Sequence, residues 1–195
     1  ELAIIFGRNR RGEITSFPIV EMVFDPHSNL VTNVRQPARI DDSKRHEIVD
    51  FGRRIIQSYD IYGLLAIELF LTKDGEILVN EVAPRPHNSG HVTLESCSHS
   101  QYDIQLRCLL DLPLPEVHMR SEATMINLIG APGHEGSPQI QGLYELMATP
   151  EAYLHWYGKA VTKPDRKMGH VTIVGGGNRV EELTAKFVHT LKITT

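Results

Sequence analysis

Residues 66–91 read AIELFLTKDGEILVNEVAPRPHNSGH, and this stretch decides the fold. Ile67, Leu69 and Leu71 alternate with Glu68 and Phe70, and Ile77 and Val79 alternate with Leu78 and Asn80. A two-residue period belongs to a strand, not a helix. Lys73-Asp74-Gly75 between the runs is a turn signal, because glycine beside aspartate permits the positive φ of a tight hairpin. With Asp74-Gly75 as the turn centre, Glu68 and Glu81 fall on opposing strands at nearly matched distances from it. Cross-strand neighbours lie about 4.5–5.5 Å apart at Cβ, where two carboxylates repel unless a cation stands between them. Mg²⁺ suits such a pair, since it takes a few hard oxygen ligands and keeps its other positions for water and phosphate. The plainer alternative makes one or both residues solvated strand-end glutamates.

The loop that follows is dense in chemistry. Arg85, His87, Asn88 and His91 fall within residues 85–91. Pro84 and Pro86 restrict the backbone on both sides of Arg85. A rigid arginine near two carboxylates suits an anionic transition state. The structural alternative pairs Arg85 with Glu81 or Glu68 and makes His87 and His91 ordinary supporting histidines. The two cysteines, Cys97 and Cys108, have no C-x-x-C spacing and form no zinc motif.

Working outward, Leu2 to Phe6 reads as a strand, with residues 13–21 as its partner after an Arg11-Gly12 turn. Asp41, Asp42 and Ser43 offer N-cap chemistry for a helix over 42–58. Ile48, Phe51, Ile55 and Ile56 recur at helical spacing and face the core, leaving Arg45, Glu47, Arg53 and Arg54 as a solvated face. A helix over about residues 100–110 is expected to bury Ile104, Leu106, Leu109 and Leu110. Residues 113–119 carry two prolines and no periodicity, which suggests a linker. The expected domains are therefore 1–115 and 116–195.

Beyond the linker, strands are expected at 123–130, 153–157 and 170–174, and a helix over 180–191. Gly175, Gly176 and Gly177 lack the neighbouring Lys and Ser/Thr of a phosphate loop and read as a strand-to-helix turn. Lys159 and Arg166 flank the turn 161–165, so both can point toward one space. A lysine and an arginine there suit a phosphate monoester, one as a point charge and one as a bidentate donor. An ordinary basic turn with Lys163 and Lys167 is the alternative.

Composition narrows the class. The chain has 195 residues, 41% of them hydrophobic, and a net charge of −4, which supports a real core and no nucleic-acid surface. No apolar run approaches a membrane span. Two cysteines give no disulfide framework and fit a reducing compartment, so the expected location is cytoplasmic. No G-x-x-x-x-G-K motif is present, and the abrupt opening strand reads as the start of a fragment.

Glu68, then Asn80-Glu81, then the run Ala83 to His91 resemble the ATP-grasp core of the N5-carboxyaminoimidazole ribonucleotide synthase family. Ser100-Gln101-Tyr102, Leu112-Pro113-Leu114, Tyr157-Gly158-Lys159 and Arg166 to His170 extend the resemblance over nearly the whole chain. It implies an α+β chain: the C-terminal part of an ATP-grasp fold, with an antiparallel sheet and packed helices, followed by a small β-rich domain. It implies an ATP- and bicarbonate-dependent carboxylation of 5-aminoimidazole ribonucleotide in purine biosynthesis, through carboxyphosphate. Mg²⁺, or Mn²⁺ in its place, would be held by Glu68 and Glu81, with Asn80 beside them at the nucleotide. Arg85 would be catalytic, and His87, Asn88, Ser89, Lys159 and Arg166 would bind the ribonucleotide. Many ATP-grasp enzymes have an asparagine where Ala83 stands, which leaves the metal more dependent on Glu68, Glu81 and water. The family's N-terminal domain and ATP lid would precede Glu1, so this chain alone is expected to be inactive. A homodimer is one expected assembly. The competing readings are another ATP-grasp carboxylase or ligase, and a non-catalytic module derived from one.

Overall fold

The computed structural model describes residues 1–24 and 31–195. The chain is α+β and divides into two compact units, residues 1–22 with 35–120, and residues 23–34 with 121–195.

In the first unit the chain runs β1 (Leu2–Arg8), β2 (Ile14–Ser16), the start of β3 (Val20–Phe24) and the end of β4 (Val31–Gln36). It continues through α1 (Asp42–Ser58), β5 (Gly63–Leu71), β6 (Ile77–Ala83), a 3₁₀ turn (Asn88–Gly90), α2 (Thr93–Ser96) and α3 (Gln101–Leu109). The sheet order is β6-β5-β1-β3, with β2 also on β1. Strand alternation sends side chains to two cores. Leu2, Ile4, Phe6, Leu65, Ile67 and Leu69 pack with Ile48 and Ile56 of α1. Ile5, Leu64, Ala66 and Ala83 pack with Ile104 and Cys108 of α3. Phe51 and Ile55 are partly buried against the α1 core, as the helical spacing predicts.

Four expectations need correction. The partner predicted at 13–21 is two strands, β2 and β3, interrupted around Pro18, which cannot donate to a ladder. Asp41 occupies the N-cap of α1, but its side chain makes no capping hydrogen bond. The helix α3 buries Gln101, Ile104 and Cys108, whereas Leu106, Leu109 and Leu110 are 59%, 56% and 67% exposed. At about 100° per residue, 101, 104 and 108 share a face, and 106 points away from it. The loop 113–119 is anchored rather than free. Glu13 Oε2 accepts from Leu114 N at 3.1 Å, and Thr15 Oγ1 donates to Pro115 O at 2.8 Å. The Leu114 amide, then the Asn9 amide, hold the Glu13 carboxyl below its ordinary pKa.

In the second unit the remainder of β3 and β4 is followed by β7 (Glu122–Ile129), β8 (Gln139–Gln141), α4 (Leu143–Met147) and β9 (Ala152–Trp156). Then come β10 (Lys167–Gly175), α5 (Asn178–Thr190) and β11 (Lys192–Thr194). The sheet order is β4-β7-β10-β9, and β8 pairs with β11. Val180, Leu183 and Phe187 of α5 cover Ile126, Leu128, Val171 and Ile173. The short elements β8, α4 and β11 carry too few residues to show a period and were not expected. No helix among the described residues is long and apolar enough to cross a membrane.

Candidate functional site

The hairpin forms as the alternation requires. Gly75, at φ +82°, donates to Thr72 O at 3.1 Å, so the turn centre is Lys73-Asp74, with Gly75 supplying the left-handed residue after it. This shifts the centre by one residue from the expected Asp74-Gly75. Glu68 and Glu81 are direct register partners across β5 and β6. Partners in an antiparallel pair point to the same face, so the two carboxylates share the face that Ala66 and Ala83 begin, themselves opposed in register. Ala3 of β1 lies on the other side of Glu68 and contributes only a methyl group.

Alternation does not reveal what happens next to this pair. Glu68 faces Glu81, but Leu69 faces Val79, so Asn80 is an extra residue in β6. Such a bulge re-aims side chains. Here it sets Asn80 immediately beside Glu81, and Asn80 Nδ2 donates to Glu1 Oε1 at 3.2 Å.

The following loop folds back toward Glu68. His87 Nδ1 is 3.4 Å from Glu68 Oε1 and 3.0 Å from Ser89 Oγ. The side chains of His87 and Glu68 are only 13% and 14% exposed, so this is a sheltered contact. Ser89 is buried, Asn88 is half-buried, and Arg85 is exposed, with Nη1 donating to the neighbouring Pro86 O at 3.1 Å. The loop thus keeps the Arg85 side chain at the surface instead of locking it in the core.

Gln101 holds the loop, and sequence reasoning missed it. Its Oε1 accepts from His87 N and its Nε2 donates to His87 O, both at 2.9 Å. Those two backbone partners fix the amide orientation, so the second Nε2 hydrogen points at His91 Nδ1, 3.0 Å away. Nδ1 must then accept, which leaves the His91 proton on Nε2. The Tyr102 hydroxyl lies 3.0 Å from the same nitrogen, and burial holds its phenol above the ordinary pKa. Gln101 is fully buried. A lone buried glutamine has no periodic signature; the hints were its place in the Ser100-Gln101-Tyr102 run that resembles the family and its position directly after the N-cap Ser100, whose side chain accepts from Asp103 N.

The donor set can be tested against a metal. Among the described residues, no group of three or more His, Cys, Asp or Glu side chains could hold an ion. Zinc or calcium would need such a cage. Two adjacent carboxylates fit Mg²⁺, which completes its shell with water and phosphate oxygens.

Lys159 and Arg166 lie in the second unit, in the loop between β9 and β10. Lys159 Nζ donates to Lys167 O at 2.6 Å, and Arg166 Nη1 donates to Val161 O at 3.0 Å. The loop docks on Gly130, whose N donates to Arg166 O at 2.9 Å and whose O accepts from Asp165 N at 3.1 Å. A Cβ at Gly130 would lie 2.1 Å from Lys163 O, so only glycine permits this approach.

Comparison with known proteins agrees with this architecture. The ATP-grasp domain model matches residues 1–102, and the phosphoribosylaminoimidazole carboxylase C-terminal domain model matches 123–186. The chain is 42% identical over 180 residues to the chloroplastic phosphoribosylaminoimidazole carboxylase of Vigna aconitifolia, covering 90% of this chain and 31% of that protein. It is 37% identical over 191 residues to N5-carboxyaminoimidazole ribonucleotide synthase of Bacillus subtilis, covering 97% of this chain and 48% of that one. Among solved structures, the synthetase of Thermotoga maritima superposes with a TM-score of 0.90 at 40% identity, over 100% of this chain and 52% of that chain. The Aspergillus clavatus synthase, solved with ADP and 5-aminoimidazole ribonucleotide, gives 0.83 at 31%, over 96% and 51%. The chain therefore spans about half the length, or less, of these relatives. On these matches, with the fold they share, the chain belongs to the ATP-grasp family and carries the C-terminal domain of the phosphoribosylaminoimidazole carboxylases.

Proposed function

We propose that this chain supplies the metal-holding and acceptor-binding half of an ATP-dependent carboxylase that acts on 5-aminoimidazole ribonucleotide, with bicarbonate as carbon source, to give the N5-carboxy product. The observation that carries this is the opposition of Glu68 and Glu81 on one sheet face, with His87 against Glu68. The relatives' names and the nucleotide and ribonucleotide in the Aspergillus structure support it.

In this account Glu68 and Glu81 hold Mg²⁺, which would neutralise charge on the nucleotide phosphates when bound. Asn80 stands beside them toward the nucleotide. Arg85, exposed with its Nη1 on the neighbouring Pro86 carbonyl, turns its guanidinium to a carboxyl-phosphate anion and offsets its charge. His87, Asn88 and Ser89 position the acceptor, with Gln101 keeping their loop in place. Lys159 and Arg166 bind the acceptor's 5′-phosphate. Residues 1–115 form the ATP-grasp part and 116–195 the smaller domain. Two copies associate as a homodimer, and the enzyme works in the cytoplasm.

The test is ADP release by the full-length protein. Release should require both bicarbonate and 5-aminoimidazole ribonucleotide. Formate-dependent turnover, or stimulation by a different amine, would overturn the assignment.

A further inference from the structure

Lys159 is not a freely rotating cation, and what restrains it reaches into the interior of the second unit. Gly158, at φ +69° with open space where a Cβ would stand, takes the left-handed conformation between Tyr157 and Lys159. The Lys159 ammonium consequently sits 5.8 Å from the centroid of the Tyr157 ring, within cation–π range, while also donating to Lys167 O. Tyr157 is fixed in turn. Its backbone N donates to Met168 O at 3.0 Å, and its hydroxyl is 2.9 Å from His170 Nδ1. His170 is only 3% exposed. It pairs in register with His155 across β9 and β10, and the two imidazoles stack at 4.5 Å between centroids, 13° from parallel.

We infer that Tyr157 and His170 are positioning residues for Lys159, holding its ammonium where the acceptor's phosphate binds. This rests on the phosphate assignment made above for Lys159 and deepens it. A lysine has a long flexible stem and loses much rotamer freedom when its charge is fixed. A ring already anchored at both its backbone and its hydroxyl meets part of that cost before ligand arrives. A residue serving only the core would affect stability without singling out one substrate.

The experiment is steady-state kinetics on the full-length protein with four single variants and one double. Lys159→Ala should raise the KM for the ribonucleotide more than about tenfold, as expected for loss of a charge-assisted bond. Tyr157→Phe keeps the ring and deletes only the hydroxyl. It should raise the same KM roughly threefold to tenfold, the range of one net hydrogen bond, with kcat and the KM for ATP within about twofold. His170→Ala should match it, and the double variant Tyr157→Phe/His170→Ala should be no worse than His170→Ala. His170→Asn offers an oxygen near the Nδ1 position and should restore KM to within about twofold. Because His170→Ala removes a buried ring, Tyr157→Phe carries the test if that variant does not fold. An unchanged ribonucleotide KM in Lys159→Ala would remove the phosphate assignment itself. A raised KM in Lys159→Ala with an unchanged KM in Tyr157→Phe would leave that assignment standing and overturn the positioning role alone.

Discussion

Replacing Glu81 with glutamine should stabilise the metal-free protein. Glu68 and Glu81 are register partners on one face, and directly opposed like charges destabilise a sheet. Two unit charges about 6 Å apart repel by about 0.7 kcal/mol in water and about 2.8 kcal/mol at an effective dielectric near 20. Glu81 is exposed and Glu68 is sheltered, so the lower part of that range applies, about 1 kcal/mol. For a chain of this size that raises Tm by about 2–4 °C. The assay is thermal unfolding in excess chelator at low ionic strength, followed by circular dichroism. The gain should shrink as salt screens the pair. Glu68→Gln relieves the same repulsion but disturbs the His87 contact at 3.4 Å, so its gain should be smaller or reversed. A Glu81→Gln variant that melts lower than wild type, independently of salt, would refute the reasoning, because the two carboxylates would not then be strained against each other.

Three further outcomes follow from the packing and the titrations. Gly130→Ala drives a Cβ against Lys163 O and Thr162 Oγ1; overpacking of this kind costs about 1–3 kcal/mol, and by displacing the loop that carries Arg166 it should also raise the ribonucleotide KM in kinetic assays. Ile104→Ala should cost about 2–5 kcal/mol in denaturant titration, whereas Leu106→Ser, at 59% exposure, should stay within about 0.5 kcal/mol. Burial pushes the Cys108 thiol up to about 11, so the folded state keeps a proton that the unfolded chain releases at the ordinary thiol pKa. That contribution is intact below the ordinary value and fades as pH rises toward about 11, and thiol alkylation of the native protein near neutrality should be slow compared with the denatured chain.

The sequence showed the hairpin because its signals were local: a two-residue period and a glycine where the left-handed residue belongs. Counting outward from an Asp74-Gly75 centre put Glu68 opposite Glu81; the turn is centred one residue earlier, and the pairing holds because the second strand carries extra residues, Asn80 among them. The bulge at Asn80 could not be read, since alternation in the letters continues through it and only the ladder reveals the extra residue. On α3, hydrophobicity pointed to Leu106, Leu109 and Leu110, but the helix angle that Ile104 sets brings Gln101 and Cys108 to the sheet. Gln101 is buried because it satisfies three polar partners at once, a role no amphipathic pattern encodes. The loop 113–119 was legible as irregular but not as anchored, because its bonds come from Glu13 and Thr15, about a hundred residues earlier in the chain.

The claim most in need of direct test is that Glu68 and Glu81 share one divalent ion. Electron paramagnetic resonance of Mn²⁺ with the full-length protein and ADP addresses it without relying on turnover. Wild type should bind Mn²⁺ in a nucleotide-dependent way, and both Glu68→Gln and Glu81→Gln should weaken that binding at least about tenfold, as loss of a charged ligand implies. Undiminished Mn²⁺ binding in either variant would contradict the shared site.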